Sequence, residues 1–215
     1  MSRPLDAGIA DNLSHVRRRL EAAAHRAHRS PSDISLVAVS KTFGVDAIRS
    51  AFTAGHRVFG ENKVQEALGK IAALSDLDLE WHLIGHLQTN KSKKAAESFR
   101  WIESVDSVEL VQKLDAAASQ SDRRPAVLIQ VDLAGERTKH GVPTNSLKEV
   151  VGAAHDAHAL DLRGLMLVPP SPRLPEDSRP WFRSLRSIRD TLVDDGVPGE
   201  CLRDLSMGMS HDFEI

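Results

Sequence analysis

The sequence predicts an α/β fold of the TIM (β/α)8-barrel type, preceded by one extra helix. Short runs rich in Val, Ile and Leu alternate with amphipathic stretches from residue 34 to the end of the chain, the pattern of βα units around a parallel sheet. Several runs are apolar on both faces, as expected for strands covered by helices on one side and packed inside a barrel on the other. No G-x-G-x-x-G follows the first run, which disfavours an open dinucleotide-binding sheet.

Seven apolar runs are the predicted strands. They span residues 34–40, 57–61, 81–86, 101–106, 126–133, 162–169 and 202–208. Before them, Leu13, Val16 and Leu20 recur at helical spacing, which predicts an N-terminal helix over about residues 1–29, with the βα units filling 34–215. The proline-rich stretch 169–180 lies between a strand and a helix, so it is predicted to be a loop rather than a linker. We therefore expect one domain over residues 1–215.

Local signals predict where two of the connecting helices begin. Asp106 followed by Glu109 resembles a capping box with Asp106 as the cap, and predicts a helix from there. Pro180 can open a later helix that Gly196 can close. The apolar stripe of that helix consists of Phe182, Leu185, Ile188 and Leu192.

Composition and charge exclude several classes of function. The 28 Lys and Arg nearly cancel the 30 Asp and Glu, giving a net charge of -2, so no basic field indicates nucleic acid. The single cysteine excludes an intramolecular disulfide framework and suits a reducing compartment. No apolar run reaches the ~18 to 20 residues of a membrane span, and the N-terminus lacks the apolar core of a signal peptide. We therefore expect a cytoplasmic protein.

Lys41 ends the apolar segment Val37–Lys41, at the carboxyl end of the first predicted strand. Active sites of parallel barrels lie at that end, and strand alternation places Val37, Val39 and Lys41 on one face. A lysine in a partly desolvated cavity has a lowered pKa and can form a Schiff base with an aldehyde. The alternative is a rim lysine whose ammonium reaches water.

The last predicted strand carries a second candidate site. Ser206, Gly208 and Ser210 share a face if the extended conformation persists, near the position where TIM barrels often bind phosphate. A helix that follows directly would favour an anion through its free amide groups. The alternative is an ordinary Ser/Gly turn that caps this helix.

Polar residues also end the strands between these two sites. Asn62 shares a face with Val58 and Gly60, and His82 shares a face with His86. A zinc site on the two histidines is disfavoured, because Leu83 stands where the zincin motif requires Glu and no third ligand is evident. Hydrogen-bonded barrel histidines are the alternative we favour. Gln130 and Asp132 are expected to form a polar layer or an outer contact.

Six segments, in this order and spacing, resemble those of a known family, the pyridoxal phosphate homeostasis proteins (the YggS/PROSC group). They are residues 37–68, 81–91, 105–115, 127–141, 162–170 and 205–214. The resemblance implies a barrel like the N-terminal domain of alanine racemases, with pyridoxal 5'-phosphate held as a Schiff base on Lys41. It also implies that Ser206 to Ser210 contribute to the phosphate end and that Asn62 lies near the pyridine ring. We therefore expect the cofactor-binding residues to be Lys41, Asn62, His82, Ser206, Gly208 and Ser210.

The sequence departs from the family pattern at two places. Family members continue into a final strand carrying R-I-G-T, which this sequence does not contain. Two alternatives follow: the native protein has a further tail with this strand, or the barrel lacks its eighth strand and binds the cofactor more weakly. Lys63 replaces the usual tyrosine of the G-E-N-Y-V-Q-E segment, which we interpret as variation on the helix.

Three hypotheses about activity remain open. The first is a non-catalytic pyridoxal phosphate carrier, monomeric, with apo pyridoxal phosphate enzymes as possible partners. The second is an amino-acid racemase with His82 or His86 as base; a racemase with a catalytic tyrosine is excluded, since the chain has no tyrosine. The third is a lysine-dependent aldolase without cofactor. The lack of evident acid/base partners for Lys41 favours the carrier.

Overall fold

The computed structural model describes residues 5–135 and 140–215, with side chains from residue 8 onward. Residues 136–139, which belong to one of the six family-like segments, and the first four residues of the predicted N-terminal helix lie outside the described residues. The strands are β1 Ala38–Val39, β2 Val58–Glu61, β3 Glu80–Leu83, β4 Trp101–Val105, β5 Ala126–Asp132, β6 Val142–Pro143, β7 Asp161–Met166 and β8 Asp204–Ser206.

The strands confirm the predicted parallel barrel architecture with its seven main strands. They are hydrogen-bonded in the order β1-β2-β3-β4-β5-β7-β8, all parallel, while the two-residue β6 pairs only with β5. Each predicted apolar run overlaps one of the seven strands of the main path, although most strands are shorter than the run and β3 and β7 begin one residue before it. In the described residues β1 and β8 are the two edges of this path, so the sheet curves as a barrel that is not closed between them.

In the described residues one α-helix precedes the strands and six connect them. They are α1 Leu5–Arg26, α2 Val45–Thr53, α3 Val64–Ala73, α4 Ser92–Ser98, α5 Val108–Gln120, α6 Leu147–His155 and α7 Arg179–Asp194. Short 3-10 helices occur at Pro31–Asp33, Thr89–Lys91, Thr144–Ser146, Pro175–Ser178 and Gly199–Cys201. The predicted N-terminal helix and the helix opened by Pro180 are both present, and Gly196 follows the second with φ 101°.

The two faces of the sheet differ in chemistry because strand residues alternate. Phe59, Leu83, Ile102 and Val127 are at most 2% exposed and belong to the apolar core with the helices. In each strand, the residues next to these point the other way, toward the barrel interior, and several of them are polar. Burial of apolar surface on the helix side therefore stabilises the fold. The polar side chains available for a functional site lie on the interior face.

Two local predictions were wrong. Helix α5 is capped by Ser107, whose hydroxyl accepts from the Leu110 N–H at 3.2 Å, and not by Asp106, because Ser107 is the last extended residue before the helix. The segment after β8 forms hydrogen-bonded turns over residues 210–214 instead of a helix. Among the described helices, none is long and apolar enough to cross a membrane.

Candidate functional site

Lys41 lies two residues after the end of β1, at the edge where the carboxyl ends of the parallel strands meet. The Phe43 N–H donates to the Ser40 carbonyl at 3.0 Å, closing a β-turn in which Thr42 has φ 68°. A positive φ at a β-branched residue costs on the order of 1–3 kcal/mol, so other contacts must hold this turn. Of the two alternatives for Lys41, the structure shows the second, a lysine at the rim, because the turn places residue 41 in an exposed position.

Three charged side chains, which we call the Glu61–Lys70–Glu66 cluster, hold both neighbours of Lys41. The Ser40 hydroxyl donates to Glu61 Oε1 at 2.6 Å, and Lys70 Nζ donates to the Ser40 carbonyl at 2.8 Å. On the other side, the Thr42 N–H donates to Glu66 Oε1 at 2.8 Å. Lys41 itself has no hydrogen bond or ion pair with any residue in the described part of the chain. Its amine is therefore free while its backbone is fixed.

The cluster is stable as a set of charges because every proton of Lys70 has an acceptor. Lys70 Nζ also donates to Glu61 at 2.7 Å and to Glu66 at 2.8 Å. Burial alone would lower the pKa of Lys70, but the hydrogen bonds that Lys70 donates to Glu61 and Glu66 outweigh burial and raise the pKa. The hydrogen bonds from Lys70 and from the Thr42 N–H lower the pKa of Glu66. The buried part of the cluster sits on the helix side of the sheet, beneath the turn that presents Lys41.

The chain around Asn62 is tightly packed at the end of β2. A Cβ on Gly60 would lie 3.0 Å from Val37 Cγ1 and 3.1 Å from Ile84 Cδ1, so these three residues share the interior face. A Cβ on Gly85 would lie 2.3 Å from the Asn62 carbonyl oxygen, so only glycine fits there. The backbone after β3 therefore lies directly against Asn62, which is half-buried at the mouth of the barrel.

His82 and Ser206 meet across the barrel interior through Glu103, a residue that the sequence analysis did not single out. His82 Nδ1 and the Ser206 hydroxyl each lie 2.5 Å from one of the two Glu103 carboxylate oxygens. His82 Nε2 lies 3.0 Å from Glu80 Oε1, and the ring stacks on Trp101 with centroids 5.3 Å apart. Both ring nitrogens of His82 are thus engaged by carboxylates.

The charge of His82 should make the stability of the fold depend on pH. Burial alone would lower the pKa of His82, but the hydrogen bonds to Glu103 and Glu80 outweigh it and raise the pKa above 6.5. The stabilisation from His82 is therefore fully present below pH 6.5, the usual value, and is lost as pH rises through the raised pKa. Titration of the ring by NMR should give this raised pKa, and a His82 pKa at or below 6.5 would contradict the prediction.

Ser206, Gly208 and Ser210 lie at the other edge of the sheet but do not share a strand face. The strand ends at Ser206, and Gly208 turns the backbone with φ 89°. Asp212 holds the turn that follows, because its carboxylate accepts from the Met209 N–H at 2.5 Å and from the Ser178 hydroxyl at 2.6 Å. Asp212 and Ser178 are both buried. The N–H groups of Gly208 and Ser210 donate to no described residue.

His86 lies at the mouth of the barrel, close to one residue from the segment after β4 and one from the segment after β5. Its Nδ1 is 3.2 Å from Asp106 Oδ2, and its ring stacks on His140 with centroids 3.5 Å apart. The predicted polar residues Gln130 and Asp132 anchor the loop that follows β5, through the His140 carbonyl at 2.6 Å and the Gly135 N–H at 2.9 Å. The structure therefore shows that Asp106 and His140 lie next to His86, which the sequence analysis did not predict.

Comparisons with known proteins cover nearly the whole chain. A family model described as alanine racemase, N-terminal domain, matches residues 12–214. A pyridoxal phosphate homeostasis protein from Aquifex aeolicus is 42% identical over 205 residues, covering 95% of this chain and 89% of the relative. The protein of the same name from Escherichia coli K12 is 40% identical over 220 residues, covering 96% and 88%.

Solved structures agree with these relatives. PipY from Synechococcus elongatus PCC7942, in its structure with PLP bound, is 39% identical with a TM-score of 0.80, covering 91% of each chain. An alanine racemase from Clostridium difficile 630 is 12% identical with a TM-score of 0.71, covering 91% of this chain and 50% of the racemase, and shows the shared fold alone. The chain thus belongs to the alanine racemase N-terminal domain family and, within it, to the pyridoxal phosphate homeostasis proteins.

Proposed function

We propose that this protein holds pyridoxal 5'-phosphate as a Schiff base on Lys41 and serves cytoplasmic pyridoxal phosphate homeostasis as a carrier, not as a catalyst. The observation that carries the proposal is an exposed amine without a described partner, on a turn held from both sides by the Glu61–Lys70–Glu66 cluster. The names of its relatives and the PLP bound to PipY support this cofactor. The recipients of the cofactor would be apo pyridoxal phosphate enzymes.

The geometry suits the covalent step. The Lys41 amine would supply the nitrogen of the Schiff base to the aldehyde of the cofactor, with loss of one water. A carboxylate paired with the lysine would hold its proton and oppose this reaction, and no described carboxylate is paired with Lys41. The step is reversible by water, which is what a protein that buffers and releases the cofactor requires.

The remaining predicted contacts are part of the proposal. Ser206, Gly208 and Ser210 would hold the phosphate, and the uncommitted N–H groups of Gly208 and Ser210 are suitable donors to an anion. Asn62 would lie beside the pyridine ring. His82 would contribute to the site by positioning Glu103 and Glu80 and not by a hydrogen bond of its own to the cofactor, since both of its ring nitrogens are already hydrogen-bonded to these carboxylates.

The contacts of His82 also favour a carrier over a racemase. A base must have a free lone pair near the proton it removes. Glu103 and Glu80 engage both ring nitrogens of His82 and raise its pKa, so neither nitrogen is available to a substrate proton. The chain contains no tyrosine that could serve instead. A cofactor-free aldolase would use the same lysine and is separated from the carrier by the experiment below.

The test is to add pyridoxal 5'-phosphate to the full chain, record the absorption of the Schiff base, reduce with borohydride and map the modified peptide. We expect one adduct per chain, on Lys41. A matched reaction with a panel of L- and D-amino acids should show no steady turnover. Absence of the chromophore, or adducts spread over the exposed lysines, would refute the proposal, and turnover would make the protein an enzyme.

A further inference from the structure

We propose that His86, Asp106 and His140 form a binding site for one divalent transition-metal ion, with Zn²⁺ as the best match. These residues follow β3, β4 and β5 at the mouth of the barrel, and one ligand atom from each lies within 4.8 Å of the other two. The site uses none of the residues to which we assign the cofactor. The metal site would therefore give the same edge of the sheet a second function. This inference does not depend on the proposed function.

The distances already approach those of a coordinated ion. Zinc bonds of about 2.0–2.2 Å to nitrogen and oxygen at tetrahedral angles place ligand atoms roughly 3.3 Å apart. His86 Nδ1 and Asp106 Oδ2 are 3.2 Å apart, so this pair needs almost no rearrangement. His140 stacks on His86 with an interplanar angle of 9°, and its ring must rotate to point a nitrogen at the ion. The rotation breaks this stacking, and because His140 is exposed the ring has room to turn on its solvent side.

The backbones that carry the two histidines are held by buried side chains of the sheet. The Ser104 hydroxyl, on a residue that is 0% exposed, donates to the Gly85 carbonyl at 2.7 Å, next to His86. Gln130, which is 7% exposed, donates to the His140 carbonyl at 2.6 Å. These bonds fix the two ligands from the strands, which is the kind of support that metal sites receive from their surroundings.

Gly141 fixes the position of His140 from its other side. It has φ 145°, and a Cβ there would lie 2.8 Å from the Asp132 backbone nitrogen. Any other residue would be strained and would push the chain away from β5. The loop can approach β5 closely enough to bring His140 to His86 only because residue 141 is glycine.

The donor set selects the metal. Two imidazoles and one carboxylate suit Zn²⁺ and its neighbours in the transition series, whereas Mg²⁺ and Ca²⁺ prefer oxygen ligands. Three protein ligands leave at least one position for water or an incoming ligand, as in open zinc sites. His86 and Asp106 are partly exposed, at 36% and 16% of their side chains, so the ion can enter from solvent.

The test is equilibrium dialysis of the full chain against Zn²⁺, with Co²⁺ as a spectroscopic probe of the ligands. It is carried out in the Lys41→Ala protein, without cofactor, so that the result is independent of the Schiff base. We expect one ion per chain and a loss of affinity of about 100-fold or more in His86→Ala and in His140→Ala, since even changes behind the ligands cost 10–100-fold. Asp106→Asn should also weaken binding.

His158→Ala is the matched control, since His158 is exposed and precedes β7 at the opposite end of the barrel. Its affinity for Zn²⁺ should equal that of the parent protein, and circular dichroism should show that all variants fold. Failure to bind one ion per chain at micromolar Zn²⁺ would overturn the site. Binding that survives in both histidine variants, or that is lost in Cys201→Ser, would also overturn it by placing the ion elsewhere.

Discussion

Replacing Lys41 by alanine is expected to abolish the covalent hold on pyridoxal 5'-phosphate while leaving the fold intact. The Lys41 side chain is exposed and makes no contact of its own with a described polar group, so its loss should change the free energy of unfolding by less than about 0.5 kcal/mol. The Schiff base requires its amine, so the chromophore and the reduced adduct should disappear together. Absorption spectra, intact mass after borohydride and a denaturant titration measure the three quantities.

Lys63→Ala is the control for this change, because Lys63 is also exposed and follows Asn62 at the same end of the sheet. It should keep the full chromophore and the adduct on Lys41. A Lys41→Ala protein that still forms a stoichiometric adduct would show that another lysine carries the cofactor. Equal losses in the two variants would point to the general charge of this edge and not to a specific amine.

The sequence was sufficient to predict the architecture because burial dictates the residue pattern. Strands such as β5, with six buried residues in succession, can exist only between two packed layers. The apolar stripe of α7 predicted which face packs, and Leu185 and Leu192 are buried there. Alternation also holds in the structure around β2, where Gly60 lies against Val37 and Ile84 on the interior face. These are local rules that need no knowledge of distant residues.

The predictions failed where the backbone leaves regular structure. Alternation was extended through Lys41 and through Ser210, but Thr42 and Gly208 have positive φ values that end the alternation. A periodic pattern contains no information about such a turn. Asp106 resembled a helix cap, but Ser107 accepts the hydrogen bond from the Leu110 N–H and caps α5 instead. The Asp106 carboxylate lies beside His86.

The contacts that shape the site come from residues that are far apart in sequence. Glu103 lies on β4 and meets Ser206 on β8, 103 positions later, so no local motif reveals the pair. His140 reaches His86 only through the fold of the loop after β5. Within the Glu61–Lys70–Glu66 cluster, the spacing of Glu66 and Lys70 is the i,i+4 separation of a helix, a sign that could have been used. The involvement of Glu61 required the structure.

Replacing Lys70 by methionine is expected to lower the free energy of unfolding by roughly 3 kcal/mol, because it leaves a buried carboxylate without its counter-charge. The Glu61 side chain is 0% exposed and that of Lys70 is 10% exposed, and Glu61 Oε2 already lacks a hydrogen-bond partner among the described residues. Methionine keeps most of the side-chain volume, so the change isolates the charge. Denaturant unfolding measures the effect.

Lys148→Met is the matched control for Lys70→Met, since Lys148 is 68% exposed and its ion pair with Asp195 spans 3.4 Å. An exposed pair of this kind contributes less than about 1 kcal/mol. Adding Glu61→Gln to Lys70→Met should recover part of the loss, because the amide is neutral and can still accept from Ser40. Equal costs for the two lysines, or no recovery in the double variant, would contradict a charge-based role. If the cluster holds the turn, Lys70→Met should also retain less cofactor than Lys148→Met after dialysis.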